Sequence, residues 1–192
     1  MISQMIGVGK AHAKIILVGE HAVVYNQPAI AIPLTNLTVT TTIQPAFVGQ
    51  TIESNTFHGG LDELGANVEG LRQLILRLIT HFQLQKAPFT IEIDTNIPQE
   101  RGFGASAAFA TSITKAFFDF ANAPLSPEQL KYFTDLEESI SHGSASGLDA
   151  ATVNSTDPIW FVKNDLPTPF KMSLTGTLVV ADTGIHGQTM HA

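Results

Sequence analysis

The clearest alternation of apolar and polar positions lies between residues 71 and 82. Leu71, Leu74, Ile75, Leu78, Ile79 and Phe82 recur at i, i+3, i+4, i+7, i+8 and i+11. That spacing puts them on one stripe of an α-helix, read as core rather than as binding surface. A period of two governs Leu37-Thr38-Val39-Thr40-Thr41-Thr42-Ile43, which predicts a half-exposed strand. Residues 5–19, clearest at Lys14-Ile15-Ile16-Leu17-Val18, and Ala29-Ile30-Ala31-Ile32-Pro33-Leu34 also read as strands. Residues 47–61 are polar and glycine-containing and read as a loop. Further strands are expected over 89–95, 159–162 and 177–181. A helix rich in Ala and Phe is expected over 104–121. Ser126-Pro127-Glu128-Gln129 supplies an N-cap, a proline at the first helical position and a capping-box Gln. A helix should run from there to about Ser141, followed by a short one near Asp149. Strands and helices mix without a strict β-α-β rhythm, and no internal repeat is visible. The fold class is therefore α+β, with a mixed or antiparallel sheet packed with helices.

Composition narrows the function classes. The chain has 192 residues, 44% hydrophobic and 14% charged, which suits one globular domain with a sizeable core. The net charge of −7 argues against a general nucleic-acid surface. It also means that a bound polyphosphate would need local positive features and a metal ion. The absence of cysteine excludes disulfides, zinc–thiolate sites and thiol catalysis. No apolar run has the length of a membrane span, and Met1-Ile2-Ser3-Gln4-Met5 lacks the basic start of a signal peptide. No membrane partner and a cytoplasmic location are expected. Thr189 resembles a helix cap with no helix behind it, so a further carboxy-terminal part is expected.

The segment Pro98-Gln99-Glu100-Arg101-Gly102-Phe103-Gly104-Ala105-Ser106-Ala107-Ala108 runs from a glycine loop into an apolar helix. Such a junction leaves backbone N–H groups unpaired at the positive end of the helix dipole, a cradle for a phosphate chain. A tight turn that only starts a helix is the competing reading. The segment is not a Walker A loop, because no Gly-Lys-Ser/Thr follows. Its match to Gly-x-Gly-x-x-Ala is loose. Residues 96–101 separate it from the preceding strand, and no acidic residue closes a second strand about 20 positions on; Asp119 falls inside the helix. Lys14 sits within an apolar strand pattern, either facing outward or paired at a polar site. Glu20 and His21 follow that strand's end, as site residues or as a polar turn. Glu138 and Asp149 bracket a second glycine–serine segment. With Ser106 they could supply the hard oxygen ligands that Mg²⁺ takes alongside phosphate and water. Asp149 could instead accept a proton from a substrate hydroxyl. The seven histidines show no metal-site spacing.

Three of these segments resemble one family. Lys14 through Gly19-Glu20-His21-Ala22-Val23-Val24-Tyr25 resembles the first motif of mevalonate kinases. Gly102-Phe103-Gly104-Ala105-Ser106-Ala107-Ala108 resembles the phosphate loop of the GHMP kinase superfamily. Glu138 through His142-Gly143-Ser144-Ala145-Ser146-Gly147-Leu148-Asp149 resembles the Glu…His-Gly-x-Pro-Ser-Gly-x-Asp segment of mevalonate kinases. The resemblance spans nearly the whole chain. It implies the amino-terminal GHMP kinase domain, similar to the second domain of ribosomal protein S5, over 1–182, with 183–192 opening a carboxy-terminal domain. It implies that 98–108 cradle ATP and that Ser106 and Glu138 ligate Mg²⁺. Asp149 would be the catalytic aspartate with Lys14 beside it, and Glu20 and His21 would lie near the mevalonate pocket. The implied reaction is ATP-dependent phosphorylation of the primary hydroxyl of mevalonate. The chain departs from the pattern at Ala105, which replaces a serine, and at Ala145, which replaces the proline. The family's third motif, a glycine-rich carboxy-terminal loop, has no match in these 192 residues. Two alternatives stand beside this reading. One is a GHMP kinase acting on another small alcohol. The other is a non-catalytic nucleotide-binding module that self-associates, for instance as a homodimer, through an uncovered apolar face.

Overall fold

The computed structural model describes residues 6–98, 101–143, 146–173 and 175–181. The strands among them are β1 (Gly7–Val18), β2 (Ala29–Pro45), β3 (Gln50–Ser54), β4 (His58–Gly60), β5 (Phe89–Thr95), β6 (Ile159–Phe161) and β7 (Thr168–Pro169). The helices are α1 (Glu69–His81), α2 (Ala105–Phe120), α3 (Pro127–His142) and α4 (Leu148–Thr152). The strands form one mixed sheet in the order β4-β3-β5-β2-β6-β7, with β1 along the other edge of β2. Every pair is antiparallel except β3 with β5. The α+β class with a mixed sheet is the one the sequence pattern predicts.

β2 organises this sheet. Its first part pairs with β6, its second with β5, and nearly its full length with β1. The two strands expected at 29–34 and 37–43 are therefore one. Register jumps between His12 opposite Thr38 and Ala13 opposite Leu34, so residues 35–37 form a bulge. Asn96 satisfies the backbone beside that bulge: its Oδ1 accepts from Thr38 N (2.7 Å) and its Nδ2 donates to Asn36 O (3.1 Å). The segment 47–61 also differs from the expected loop, because it holds β3 and β4. These are short strands at one end of the sheet, β4 at its edge and β3 next to it, in which Ile52 is the buried hydrophobic, so little apolar patterning marks them. β7 likewise carries no apolar signal. The strand expected at 177–181 does not form. Leu178, Val179 and Val180 are 46%, 81% and 48% exposed, and strand-prone residues without a partner edge make no ladder.

α2 packs directly on β1. Gly7, Gly9, Ala11 and Ala13 turn inward along β1, and the two glycines permit the closest approach. A Cβ at Gly9 would lie 1.9 Å from Ser112 O, and one at Gly7 would lie 2.3 Å from Ala116 O. A buried hydrogen bond of 2.8 Å between Ser112 Oγ and Thr41 Oγ1 further ties α2 to β2. The apolar stripe of α1 lies in the core as its spacing predicts: Leu74, Ile75, Leu78 and Ile79 are buried, with Leu71 and Phe82 packed against them. α3 begins with the expected capping box, in which Ser126 Oγ accepts from Gln129 N and Gln129 reaches back to Ser126 N.

Candidate active site

β1 pairs with β2 along one edge only, which leaves N–H groups on the other edge. His12 N donates to Val153 O (3.4 Å) and Lys14 N donates to Phe103 O (2.9 Å). The open edge of β1 thereby anchors the turn after α4 and the glycine loop before α2. Two segments distant in sequence are brought against Lys14 in this way.

Lys14 does not face outward. Its side chain is 5% exposed and its Nζ lies 3.0 Å from Asp149 Oδ1, with Gly102 O at 3.4 Å. Asp149 sits in the first turn of α4, which opens at Gly147 in the left-handed region, φ +76°. A buried ammonium requires such a partner.

The glycine loop is shaped around that lysine. Gly104 has φ +69°, and a Cβ there would lie 2.6 Å from Lys14 Cε. Gly102 has φ +74° with open space where a Cβ would be. Gly104 is the N-cap of α2 and brings no side-chain cap, so the first turn keeps N–H groups for another acceptor. Arg101 through Ser106 line a cleft of about 650 Å³. Pro98 is exposed outside it, Ala107 and Ala108 are packed in the core, and Gln99 and Glu100 lie outside the described residues.

Ser106 Oγ donates to Glu137 Oε1 (2.6 Å), which also accepts from Ser141 Oγ (2.6 Å). Sequence reasoning singled out Glu138 and passed over Glu137. Helix phase could have found it, since Phe133, Thr134 and Glu137 share the buried side of α3. Glu138 turns instead to the segment before α4. Its Oε1 accepts from Ser146 N (2.8 Å) and Ser146 Oγ (3.1 Å), and its Oε2 from Gly147 N (3.4 Å). Burial pushes the Glu138 carboxyl above its usual range. The Ser146 N–H opposes this, and the neighbouring Asp149 charge adds to it. Ala145 lies outside the described residues.

Glu138, Glu137, Ser106, Asp149 and Lys14 all line the one cleft. Glu20 joins its wall, while His21 is exposed on the turn beyond β1 and takes no part in the lining. Glu20 and Glu69 bring the acidic groups on the wall to five, against Lys14 and Arg101. A polyphosphate entering so acidic a cleft needs a cation with it. Carboxylate and hydroxyl oxygens are the hard donors that Mg²⁺ takes, so these residues fit that ion. Among the described residues no three His, Cys, Asp or Glu side chains form a ready metal cage. Mg²⁺, which keeps water and phosphate ligands, does not require one. Among the described residues, too, no helix is long and apolar enough to cross a membrane.

Comparison with known proteins agrees with this geometry. The family signature described as the GHMP kinases N terminal domain matches residues 71–155. The mevalonate kinase of Aeropyrum pernix is 30% identical over 188 residues, covering 93% of this chain and 58% of that protein. The mevalonate kinase of Methanothermobacter thermautotrophicus is 29% identical, covering 93% and 57%. The chain thus spans a little over half the length of these relatives. Among solved structures, mevalonate kinase from methicillin-resistant Staphylococcus aureus superposes with a TM-score of 0.67 at 32% identity, over 87% of this chain and 56% of that one. The Methanococcus jannaschii mevalonate kinase gives 0.72 at 25% identity, over 88% and 56%. Signature, relatives and fold agree in likening the chain to the GHMP kinases, with residues 71–155 matching their amino-terminal domain.

Proposed function

We propose that this chain binds ATP with Mg²⁺ and transfers the γ-phosphoryl group to the primary hydroxyl of mevalonate. The observation that carries the reading is the buried Lys14 paired with Asp149 at the mouth of the Gly102–Ser106 loop. In this reading residues 1–182 are the nucleotide- and substrate-binding domain of a cytoplasmic enzyme.

Each residue has a definable task. Asp149 Oδ accepts the proton of the attacking hydroxyl as the new O–P bond forms. Lys14 Nζ stays beside the oxygen that loses the proton and stabilises its growing charge. The uncapped N–H groups at the start of α2 receive phosphate oxygens, and the two glycines let the chain approach that closely. Ser106 and Glu138 would hold Mg²⁺. Bound there, the ion would supply charge neutralisation on the group being transferred. Glu138 also fixes the 146–147 backbone, and through it the start of α4 that carries Asp149. Glu20 and His21 belong on this account near the alcohol, Glu20 from the cleft wall and His21 from the turn beside it.

The relatives' names support mevalonate as the alcohol. The test is ADP release from Mg-ATP by the 192-residue chain across a panel of mevalonate, homoserine and galactose. Release that depends on mevalonate alone is expected. Release driven by a different alcohol would replace the substrate and keep the kinase.

A further inference from the structure

Among the described residues Glu137 is the one acidic side chain that is fully buried, at 2% exposure. No part of the mechanism above uses it. Its Oε1 accepts from two hydroxyls at 2.6 Å each, Ser106 of α2 and Ser141 of its own helix. α1 closes over the same point at Gly70. A Cβ there would lie 2.2 Å from Ser141 Oγ and 2.8 Å from Glu137 Oε1. Three helices therefore meet at one carboxylate beneath the first turn of α2.

A serine hydroxyl carries one proton and two lone pairs. Within a helix its proton commonly turns back to the carbonyl four residues earlier. At Ser106 the proton goes to Glu137 instead, into the protein and away from ligand. What remains at Oγ is acceptor only, which is what a cation demands of a hydroxyl ligand. A proton directed into the cleft would oppose such a cation.

We propose that Glu137 is a positioning residue for Ser106. By taking the hydroxyl proton it sets the oxygen's lone pairs toward the metal–nucleotide complex, and its burial holds that setting before ligand arrives. The inference rests on the nucleotide reading of the cleft. Outer groups that orient a metal ligand affect affinity without touching the ion.

The test uses the 192-residue chain, Mn²⁺ as the probe ion and a non-hydrolysable ATP analogue, with Mn²⁺ binding followed by electron paramagnetic resonance. Glu137→Gln keeps the shape and removes the charge. It is expected to weaken Mn²⁺ binding in the presence of the nucleotide by about tenfold. Nucleotide affinity without divalent metal should stay within about twofold. Ser106→Ala should lose the same metal-dependent part, and the double variant should lose no more than Ser106→Ala alone. Should Glu137→Gln fail to fold, Glu137→Asp, which keeps the charge but withdraws it from Ser106, carries the same comparison. Unchanged Mn²⁺ binding in these variants, or losses that add, would overturn the role of Glu137 and leave the nucleotide reading intact. A folded wild-type chain that binds no nucleotide would overturn both.

Discussion

Lys14 Nζ and Asp149 Oδ1 stand 3.0 Å apart, and the two partners are unequally shielded: the lysine side chain is 5% exposed, the aspartate 31%. That asymmetry decides what each loss does. Asp149→Ala strands an ammonium with Gly102 O at 3.4 Å as its remaining acceptor among the described residues, a cost of about 3 kcal/mol. Lys14→Met keeps the apolar stem and leaves a carboxylate that water can reach, a cost of about 1 kcal/mol. Urea unfolding of the two variants should show the larger loss for Asp149→Ala. Equal losses would mean that burial does not govern the pair.

The two loop glycines should separate in the same kind of experiment. Both have positive φ, so alanine at either position costs about 1–2 kcal/mol of backbone strain. At Gly102 nothing else is in the way. At Gly104 the new Cβ meets Lys14 Cε at 2.6 Å, so the lysine must move. Gly104→Ala is expected to weaken nucleotide binding well beyond Gly102→Ala and to be the less stable variant. Matching thermal midpoints and affinities would argue against a loop moulded to Lys14.

Glu138 gives a pH signature. Burial raises its carboxyl above the ordinary value of 4.5. A group raised in the folded state binds its proton more tightly there than in the unfolded chain. Its contribution is therefore fully present below 4.5 and is lost as pH rises through the higher folded value. Measured against Glu138→Gln, wild-type stability should decline as pH climbs from about 4.5 through that raised value. A rising difference would reverse the assigned sign.

Much of this architecture is legible in the sequence. The stripe on α1, the capping box at Ser126 and the glycine entry to α2 are local signals with a fixed period or spacing, and all three appear where expected. The strands β3 and β4 are not legible, because β3 takes its pairing from β5 and β4 takes its own from β3, rather than from an apolar pattern of their own. The run at Leu178–Val180 shows the converse, a strand-like pattern with no partner strand among the described residues. At the site, sequence supplied Lys14, Asp149, Ser106 and Glu138 as candidates. The placing of Lys14 beside Asp149 is implied by the family resemblance and not by spacing in the chain, because the contact depends on the free edge of β1, a property of the sheet. Glu137 went unseen because a neighbouring glutamate fitted a motif, although its place on the buried side of α3 marked it.

The most direct test is mevalonate-dependent ADP release from Mg-ATP by the 192-residue chain and by its Asp149→Asn variant, with nucleotide affinity measured on both. The account predicts turnover by the wild-type chain, its loss in Asp149→Asn by a factor of at least about a hundred, and nearly equal nucleotide affinity. Undiminished turnover in Asp149→Asn, or no mevalonate-dependent ADP from a folded wild-type chain, would contradict it.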